Sequence, residues 1–403
     1  MSANDGATPF IFLVAGEPSG DALGGALIAA LRQRTEGKLR IAGIGGARMA
    51  EQGLQSLVPL ADLAVIGVAE VLPRAPLILR RVREAVAAIR AMQPDAVVTI
   101  DSSGFSWRIA QRLRRARETM PLIHYVAPMV WAWRAGRARR MARWYDHLLA
   151  LLPFEPPHFE RVGLACTYVG HPVLDSGAGA GEAARFREAH GIAAEELVLT
   201  VLPGSRRGEV TRLLPIFGAT LDLLARRLGQ FRVVLPTVET VAAEVRDRVG
   251  SWPGRPIVLD GVAAKYDAFA ASRAALAASG TVALELAMAR LPMVVAYRLN
   301  RLTEILLDRV LKVRQVNLVN LILGRPLVPE LLGPNCTPER LAGAVVQLLQ
   351  DEAVRAAHRD GYHEAMRRLG EGEVSPSLRA ADEILAIIAA RRDRAVARPR
   401  NVR

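Results

Sequence analysis

Short apolar runs rich in β-branched residues alternate with longer helical patterns along nearly the whole chain. This alternation is typical of βα units built on parallel sheets. The runs form two series, separated by the Gly- and Ala-rich stretch 174–191. The strand candidates are Phe10–Ala15, Arg40–Ile44, Ala96–Ile100, Leu122–Val126 and Leu148–Leu152 in the first series, and Leu197–Leu202, Arg232–Leu235, Pro256–Leu259, Ala274–Ala278 and Pro292–Ala296 in the second. The pattern predicts an α/β protein with two Rossmann-like domains.

The length of 403 residues supports this division, because single hydrophobic cores stop growing near roughly 250–300 residues. We expect one Rossmann-like domain over residues 1–172 and a second over residues 173–370. After Thr337 the pattern is wholly helical, and residues 371–403 are expected to form a helix and a basic tail that packs back on the first domain. The order of elements predicts two halves that face each other across a cleft, with helices at the C-terminus.

Positive charge is concentrated in a few windows. The chain has 53 Lys and Arg against 40 Asp and Glu, a formal net charge of +13, and the window from Phe105 to Tyr145 alone holds ten Arg and one Glu. Localised charge of this kind predicts an anionic partner or surface, although the scarcity of Lys is also compatible with codon bias. Trp131 and Trp133, interleaved with Arg134, Arg137 and Arg140, could lie at a lipid headgroup level or stack on nucleic-acid bases.

The apolar stretch Leu63–Leu79 is broken by prolines and followed by arginines. It fits either an interfacial segment that dips into a bilayer or a buried strand and helix. No uncharged stretch reaches the roughly 18 apolar residues of a membrane span, so membrane contact is expected to be peripheral.

Cysteine and histidine usage argues against a disulfide framework or a metal site. Cys166 and Cys336 are far apart and form no CxxC pair, which favours a reducing cytoplasm. The N-terminus lacks the features of a secretory signal. His124, His147 and His171 are scattered without a carboxylate cluster, and core or hinge roles are expected for them.

Two loops of the first series carry carboxylates directly after predicted strands, where ligands bind in open α/β sheets. The loop 16–21 is neither a dinucleotide fingerprint nor a Walker A loop. Its glycines could admit a ligand beside Glu17, or the loop could be a tight turn in which Asp21 caps the next helix. Asp101 could act as a general base or as a helix cap.

Two loops of the second series suit a diphosphate. Gly204, Ser205 and Arg206 combine an open backbone, a hydroxyl and a guanidinium at a strand-to-helix junction. The segment from Ser279 through Gly280 to Thr281 opens a helix that carries Glu285, which could accept hydrogen bonds from ribose hydroxyls. A solvated Arg pair and a plain cap by Thr281 are the alternatives, but together the loops predict one nucleotide-diphosphate site.

Several longer motifs resemble one family. They are 14–21 (VAGEPSGD), 43–46 (GIGG), 124–134 (HYVAPMVWAWR), 152–155 (LPFE), 170–172 (GHP), 202–206 (LPGSR), 278–285 (ASGTVALE) and 317–320 (NLVN). In this order they resemble lipid-A-disaccharide synthases, and the similarity extends from Phe10 to about Leu385.

The resemblance implies an inverting, metal-independent glycosyltransferase of the GT-B fold that needs no cofactor. It would transfer 2,3-diacylglucosamine from its UDP derivative to 2,3-diacylglucosamine 1-phosphate, at the cytoplasmic face of the Gram-negative inner membrane. By position, Asp101 matches the proposed base, with Glu17 the other candidate, and Arg206, Glu285 and Asn320 match residues of the UDP-sugar site. The family often has an acidic residue where this chain has Gly104. The resemblance also implies that residues 1–172 form the acceptor and membrane-facing domain and residues 173–370 the UDP-sugar-binding domain. The residues assigned to the acceptor and the membrane are Ser19, Trp131, Trp133, Arg134, Arg137 and Arg140.

Two other classes compete with this interpretation. A UDP-N-acetylglucosamine epimerase would share the fold and the nucleotide site but needs no lipid-facing surface. A nucleic-acid-binding protein would use the arginine-rich face but leaves the two diphosphate loops unexplained, so no nucleic-acid partner is expected. A homodimer is compatible with the resemblance.

Overall fold

The computed structural model describes residues 8–63, 68–132, 135–298 and 315–397, with side chains described for all of these except 68–73, Ser103 and 395–397. The chain divides into two compact units. The first comprises Met1–Pro172 with Glu373–Arg403, and the second comprises Val173–Gly372. Each unit is built around its own parallel sheet of six strands.

The first sheet has the strand order β2-β1-β3-β4-β5-β6. Its strands are β1 (Phe10–Ala15), β2 (Arg40–Ile44), β3 (Ala96–Ile100), β4 (Leu122–Tyr125), β5 (His147–Ala150) and β6 (Ala165–Tyr168). The helices between them are α1 (Pro18–Arg34), α2 (Ala47–Glu51), α3 (Val68–Met92), α4 (Ser103–Arg115), α5 (Gly136–Met141) and α6 (Pro156–Glu160).

The second sheet has the order β12-β11-β10-β7-β8-β9. Its strands are β7 (Val198–Leu202), β8 (Arg232–Pro236), β9 (Ile257–Leu259), β10 (Ala274–Ala278), β11 (Met293–Tyr297) and β12 (Glu330–Leu332). Its helices are α7 (Ala183–Ala189), α8 (Arg207–Leu228), α9 (Glu239–Val249), α10 (Val262–Ala271), α11 (Val282–Met288), α12 (Leu318–Leu323), α13 (Pro338–Gln350) and α14 (Glu352–Arg368).

Burial on both faces explains the continuous apolar strands. Every residue of β1 is buried: Phe12 and Val14 join the core on one face, and Ile11 and Leu13 join the core on the other. Such strands read as apolar runs rather than as alternating patterns because both sides are covered by helices.

The last helix, α15 (Pro376–Ala397), belongs to the first unit. Ile384 and Ile388 are buried in the same core as Ile11 and Leu13. At its C-terminal end, Arg392 Nη2 donates a hydrogen bond to Asp95 Oδ2 over 2.8 Å. The chain therefore leaves the first unit after Pro172 and returns to it for its last helix.

The ten strands predicted from the sequence are present, with ends that differ by at most two residues. Two described strands were not predicted. In β6 only Cys166 is buried, and β12 has three half-buried residues. Both lie at sheet edges, where an apolar run is not required.

Each sheet has a switch point, at which successive connections turn to opposite sides. It lies between β1 and β3 in the first sheet and between β7 and β10 in the second. Ligands of open α/β sheets bind beyond the carboxyl ends of the strands at this place. The four loops singled out from the sequence follow these four strands.

Candidate active site

The loops after β1 and β3 meet at the switch point of the first unit. Ser19 Oγ donates a hydrogen bond to Asp101 Oδ2 over 3.2 Å. Asp101 is half-buried, whereas Glu17 and Ser19, which open α1, are exposed. The structure therefore brings Ser19 and Asp101 together, and a carboxylate in this position can take a proton from a bound hydroxyl group.

The backbone at Asp101 and Ser102 is strained. Their φ angles of 50° and 45° lie in the left-handed region that residues other than glycine seldom occupy. The conformation is held by Ser106 Oγ, which donates to the Asp101 carbonyl oxygen over 2.9 Å, and by the Asp101 N–H, which donates to the Tyr125 carbonyl oxygen over 2.9 Å. Strain of this kind persists only where the surroundings enforce it, and it is frequent at functional sites.

Gly16 is required by this strained turn. A Cβ atom at Gly16 would lie 2.5 Å from Ser102 Oγ, well inside van der Waals contact. The sequence left open whether the glycines of this loop admit a ligand or form a tight turn. In the structure, Gly16 allows the loops after β1 and β3 to approach each other.

Asp21 corrects one of the sequence alternatives. It lies inside α1, so it does not cap that helix. Its buried carboxylate accepts hydrogen bonds from the backbone N–H groups of Gly46 (2.6 Å), Arg48 (3.0 Å) and Met49 (3.1 Å). Asp21 thus satisfies the N-terminal donors of α2, and fixes the Gly46 turn beside the loop after β1.

Trp131 lies beyond the carboxyl end of β4 and packs edge-to-face on Phe154, with ring centroids 5.4 Å apart. Phe154 follows the neighbouring strand β5, so the two rings join adjacent loops. Trp133 and Arg134, which were assigned to the same surface, lie outside the described residues.

Glu155 is a buried acid that the site prediction missed. Its Oε2 accepts hydrogen bonds from the backbone N–H groups of Leu151 (3.2 Å) and Leu152 (3.0 Å), which closes the turn after β5. Burial raises the pKa of Glu155 to about 7, although these hydrogen bonds act in the opposite direction. The signal in the sequence was an acid next to an apolar run.

Two of the scattered histidines are buried core residues, as predicted. His124 Nδ1 lies 2.7 Å from Thr99 Oγ1, which also lies 3.1 Å from the Tyr145 hydroxyl. Burial lowers the pKa of His124 to about 3 and that of His171 to about 4. Both are therefore neutral near pH 7, while His147 is half-buried.

The basic face of the first unit lies on α4, α5 and the loops beside them. The Arg137 guanidinium lies 5.7 Å from the centroid of the Trp107 ring. Arg140 is exposed and has no carboxylate partner within the described part of the chain. The stretch 63–79 is only partly described, since its residues 64–67 and the side chains up to 73 lie outside the described set. No described helix is long and apolar enough to cross a membrane.

In the second unit the loop after β7 presents an arginine. Gly204 has a φ of 109°, which favours glycine, and the Glu209 side chain folds against it. Arg206 Nη1 donates to Glu209 Oε1 over 3.0 Å while 68% of the Arg206 side chain remains exposed. Ser205 is exposed beside it, at the start of the 22-residue helix α8. The loop can therefore offer a guanidinium, a hydroxyl and free N–H groups to an anion.

The loop after β10 leads to Glu285. The segment Ser279–Thr281 leads into α11. This helix has only seven residues, so its dipole is smaller than that of α8. Lys265 Nζ donates to Glu285 Oε2 over 2.7 Å, and both side chains are about a quarter exposed or less. Sequence reasoning predicted Glu285 but missed Lys265, which reaches it from α10.

The side-chain amide of Asn320 is hydrogen-bonded to other groups of the protein. Its Oδ1 accepts from the N–H groups of Leu327 (2.9 Å) and Val328 (2.8 Å), and its Nδ2 donates to the Val328 carbonyl oxygen (2.9 Å) and to Glu330 Oε1 (2.6 Å). These bonds use the full capacity of the amide. In this structure Asn320 shapes the loop before β12.

The described residues contain no group of three or more His, Cys, Asp or Glu side chains that could hold a metal ion.

Two doubly wound parallel sheets in one chain, each with its loops at a switch point, are the architecture of the GT-B fold. Solved structures with the same fold include a putative UDP-N-acetylglucosamine 2-epimerase from Listeria monocytogenes (TM-score 0.64, 13% identity, covering 96% of this chain and 98% of that one). Another is MurG of Acinetobacter baumannii (TM-score 0.57, 13% identity, 94% and 99%). At these identities the likeness shows the fold alone.

The sequence gives the narrower assignment. The profile of the family described as lipid-A-disaccharide synthetase matches residues 11–384. The lipid-A-disaccharide synthase of Rhodospirillum centenum is 61% identical over 381 residues, which cover 94% of this chain and 95% of that protein. The chain belongs to the lipid-A-disaccharide synthetase family.

Proposed function

We propose that this protein joins UDP-2,3-diacylglucosamine to 2,3-diacylglucosamine 1-phosphate and releases UDP, with inversion at the transferred sugar. The observation that carries the proposal is membership of the family over nearly the whole chain, with a synthase relative at 61% identity. The epimerase alternative rests on likeness of fold at 13% identity.

The second unit is proposed to hold the donor. The loops after β7 and β10 belong to neighbouring parallel strands, so Ser205, Arg206 and the segment Ser279–Thr281 lie at one edge of one sheet. An exposed guanidinium there can fork onto the diphosphate and stabilise the negative charge that grows as UDP leaves. Glu285, held by Lys265, would accept hydrogen bonds from the ribose hydroxyls.

The first unit is proposed to supply the base. Asp101 would take the proton of the acceptor's 6-hydroxyl group as the hydroxyl oxygen attacks C1 of the donor sugar. The C1–O bond to the diphosphate breaks, and UDP leaves with the bonding electrons. Ser19, which donates to Asp101, would hold the carboxylate in position until the acceptor replaces it. Glu17 is the other candidate base, because its loop follows the neighbouring strand β1.

The test is UDP release by the purified protein in detergent, with UDP-2,3-diacylglucosamine as donor, with and without 2,3-diacylglucosamine 1-phosphate. We expect acceptor-dependent UDP release and a disaccharide monophosphate of the corresponding mass. UDP release that is independent of the acceptor, or conversion of UDP-N-acetylglucosamine to its epimer, would contradict the proposal.

We also propose peripheral association with the cytoplasmic face of the inner membrane through the basic face of the first unit. Exposed arginines attract anionic headgroups, each by roughly 1 kcal/mol near the surface. Arg137→Glu combined with Arg140→Glu should weaken binding to anionic vesicles at low salt. The matched control is Arg226→Glu with Arg227→Glu, which reverses two exposed arginines of the second unit.

Equal loss of vesicle binding in both double variants would indicate an unspecific charge effect and would count against this surface. Light scattering of the purified protein would give its molar mass, and would distinguish a single chain from the homodimer that the resemblance allows.

A further inference from the structure

A cavity of about 250 Å³ opens at the amino-terminal edge of the second sheet. It is lined by Arg273 and Pro292, which directly precede β10 and β11. Ser279, in contrast, directly follows the last residue of β10. The five residues of that strand span roughly 16 Å, so the cavity is separate from the proposed donor loops.

Arginines dominate the charge around this cavity. Arg273, Arg290, Arg355 and Arg359 line it, together with the single carboxylate of Glu352. Glu371 contributes a second carboxylate through its ion pair with Arg290. Four guanidinium groups against two carboxylates leave two positive charges uncompensated.

Two of the four arginines are held rigidly by the fold. Only 5% of the Arg355 side chain is exposed, and its Nη1 donates to the carbonyl oxygens of Leu348 (2.8 Å) and Leu349 (2.7 Å) at the end of α13. Arg290 Nη2 lies 2.7 Å from each carboxylate oxygen of Glu371. These contacts give both residues a structural role in neutralising helix ends and acids.

Arg273 and Arg359 do not have a structural role of this kind. Among the described residues, the ion-pair partner of Arg359 is Glu352 alone, an acid that it shares with Arg355. The Arg273 side chain is exposed, and has no hydrogen bond or ion pair with any described residue. Guanidinium groups of like charge around one cavity repel each other, and an anion between them would remove that cost.

We propose that this cavity binds a small anion that carries a phosphate group, with Arg273 and Arg359 as its ligands and Arg355 and Arg290 fixing the wall behind them. The planar donors of arginine match the oxygen geometry of phosphate. The volume lies below the roughly 300–1,000 Å³ of pockets that enclose drug-sized molecules, so the ligand is an ion or the phosphate end of a small metabolite. The buried apolar residues Phe269 and Leu291 also line the cavity.

The experiment is calorimetric titration of the full chain at constant ionic strength, with saturating UDP present to occupy the donor site. Inorganic phosphate and glucose 1-phosphate are the two probes. We expect at least one of the two probes to bind at a single site. Arg273→Gln and Arg359→Gln should each reduce its affinity about tenfold or more. Arg227→Gln, an exposed arginine on α8, should leave the affinity unchanged.

The two probes distinguish the sources of the phosphate group. Tighter binding of glucose 1-phosphate identifies a sugar phosphate, and tighter binding of inorganic phosphate identifies the free ion. Because UDP occupies the proposed donor site throughout the titration, binding of the probe is independent of that site. Two results would overturn the proposal. One is that neither probe binds at concentrations up to about 10 mM, a range typical of weak sites, while UDP is present. The other is that Arg227→Gln loses as much affinity for the probe as Arg273→Gln and Arg359→Gln.

Discussion

The carboxyl edges of the two sheets have the same topology but different chemistry. The first combines strained backbone at Asp101 and Ser102 with the buried acid Glu155 and the buried His171. The second presents the exposed Arg206 on a loop opened by Gly204, and an ion pair between Lys265 and Glu285. Burial changes proton affinity, whereas exposed cations and open backbone bind anions. In the mechanism proposed above, one fold, used twice in one chain, transfers a proton at the first edge and holds a diphosphate at the second.

The largest expected effect concerns the proposed proton transfer by Asp101 in the first unit. Asp101→Asn keeps the shape and the contact with Ser19 but removes the basic oxygen, so kcat should fall by about 10²–10⁴. UDP affinity, measured by calorimetry, should stay within about twofold, because the proposed donor loops belong to the other unit.

Glu17→Gln is the matched control in the same assay. If Glu17→Gln loses activity and Asp101→Asn does not, the base is Glu17. Near-normal turnover in both variants would remove the distinction between the two edges.

The second effect is on stability and concerns Glu155. Because its pKa in the folded protein is raised to about 7, the unfolded chain loses this proton first as pH rises above 4.5. The free energy of unfolding should therefore fall between about pH 4.5 and pH 7, by about 3 kcal/mol from this group. Glu155→Gln, which mimics the protonated form, should flatten this part of the profile, as measured by urea unfolding at several pH values.

Glu160→Gln changes an exposed acid on the adjacent helix and should keep the wild-type slope. An identical pH dependence in Glu155→Gln and the wild type would show that Glu155 is ionised in the folded protein at neutral pH.

The sequence predicted the sheets well because their strands are buried on both faces and are therefore apolar throughout. It also located the four loops at the switch points, since these follow from the order of strands. It could not predict contacts that depend on packing between distant segments. Ser19 and Asp101 are 82 residues apart and meet only because β1 and β3 are neighbours. For the same reason, the ion pair between Lys265 and Glu285 could not be predicted from the sequence.

The roles of individual polar residues were the least predictable. In the tight-turn alternative, Asp21 was expected to cap the helix that follows its loop, but its carboxylate instead accepts from the backbone N–H groups at the start of α2. Asn320 was assigned to the donor site by resemblance, and its amide is occupied by the loop before β12. A side-chain amide or carboxylate has several possible partners, and only the folded chain decides among them.

The third prediction tests how closely the loops of the first unit must approach. Gly16→Ala places a methyl group against Ser102, and should cost about 1–3 kcal/mol of stability. Replacing Ser102 by Gly in the same chain removes the contact and should restore most of the loss. The control is Gly136→Ala, since a Cβ atom there meets nothing within 4 Å. Equal melting temperatures of Gly16→Ala and the wild type would contradict the close approach.

The smallest expected effect concerns the proposed donor site at the carboxyl edge of the second sheet. Lys265→Met removes the partner of Glu285, and because the pair is partly exposed its contribution is modest, up to about 1 kcal/mol. The donor KM should rise about threefold to fivefold with kcat nearly unchanged. Lys265→Arg keeps a cation within reach and should recover most of the donor affinity. A fall in kcat at constant KM would instead place Lys265 in the chemical step, and the separation between a proton-transfer edge and an anion-binding edge would no longer hold.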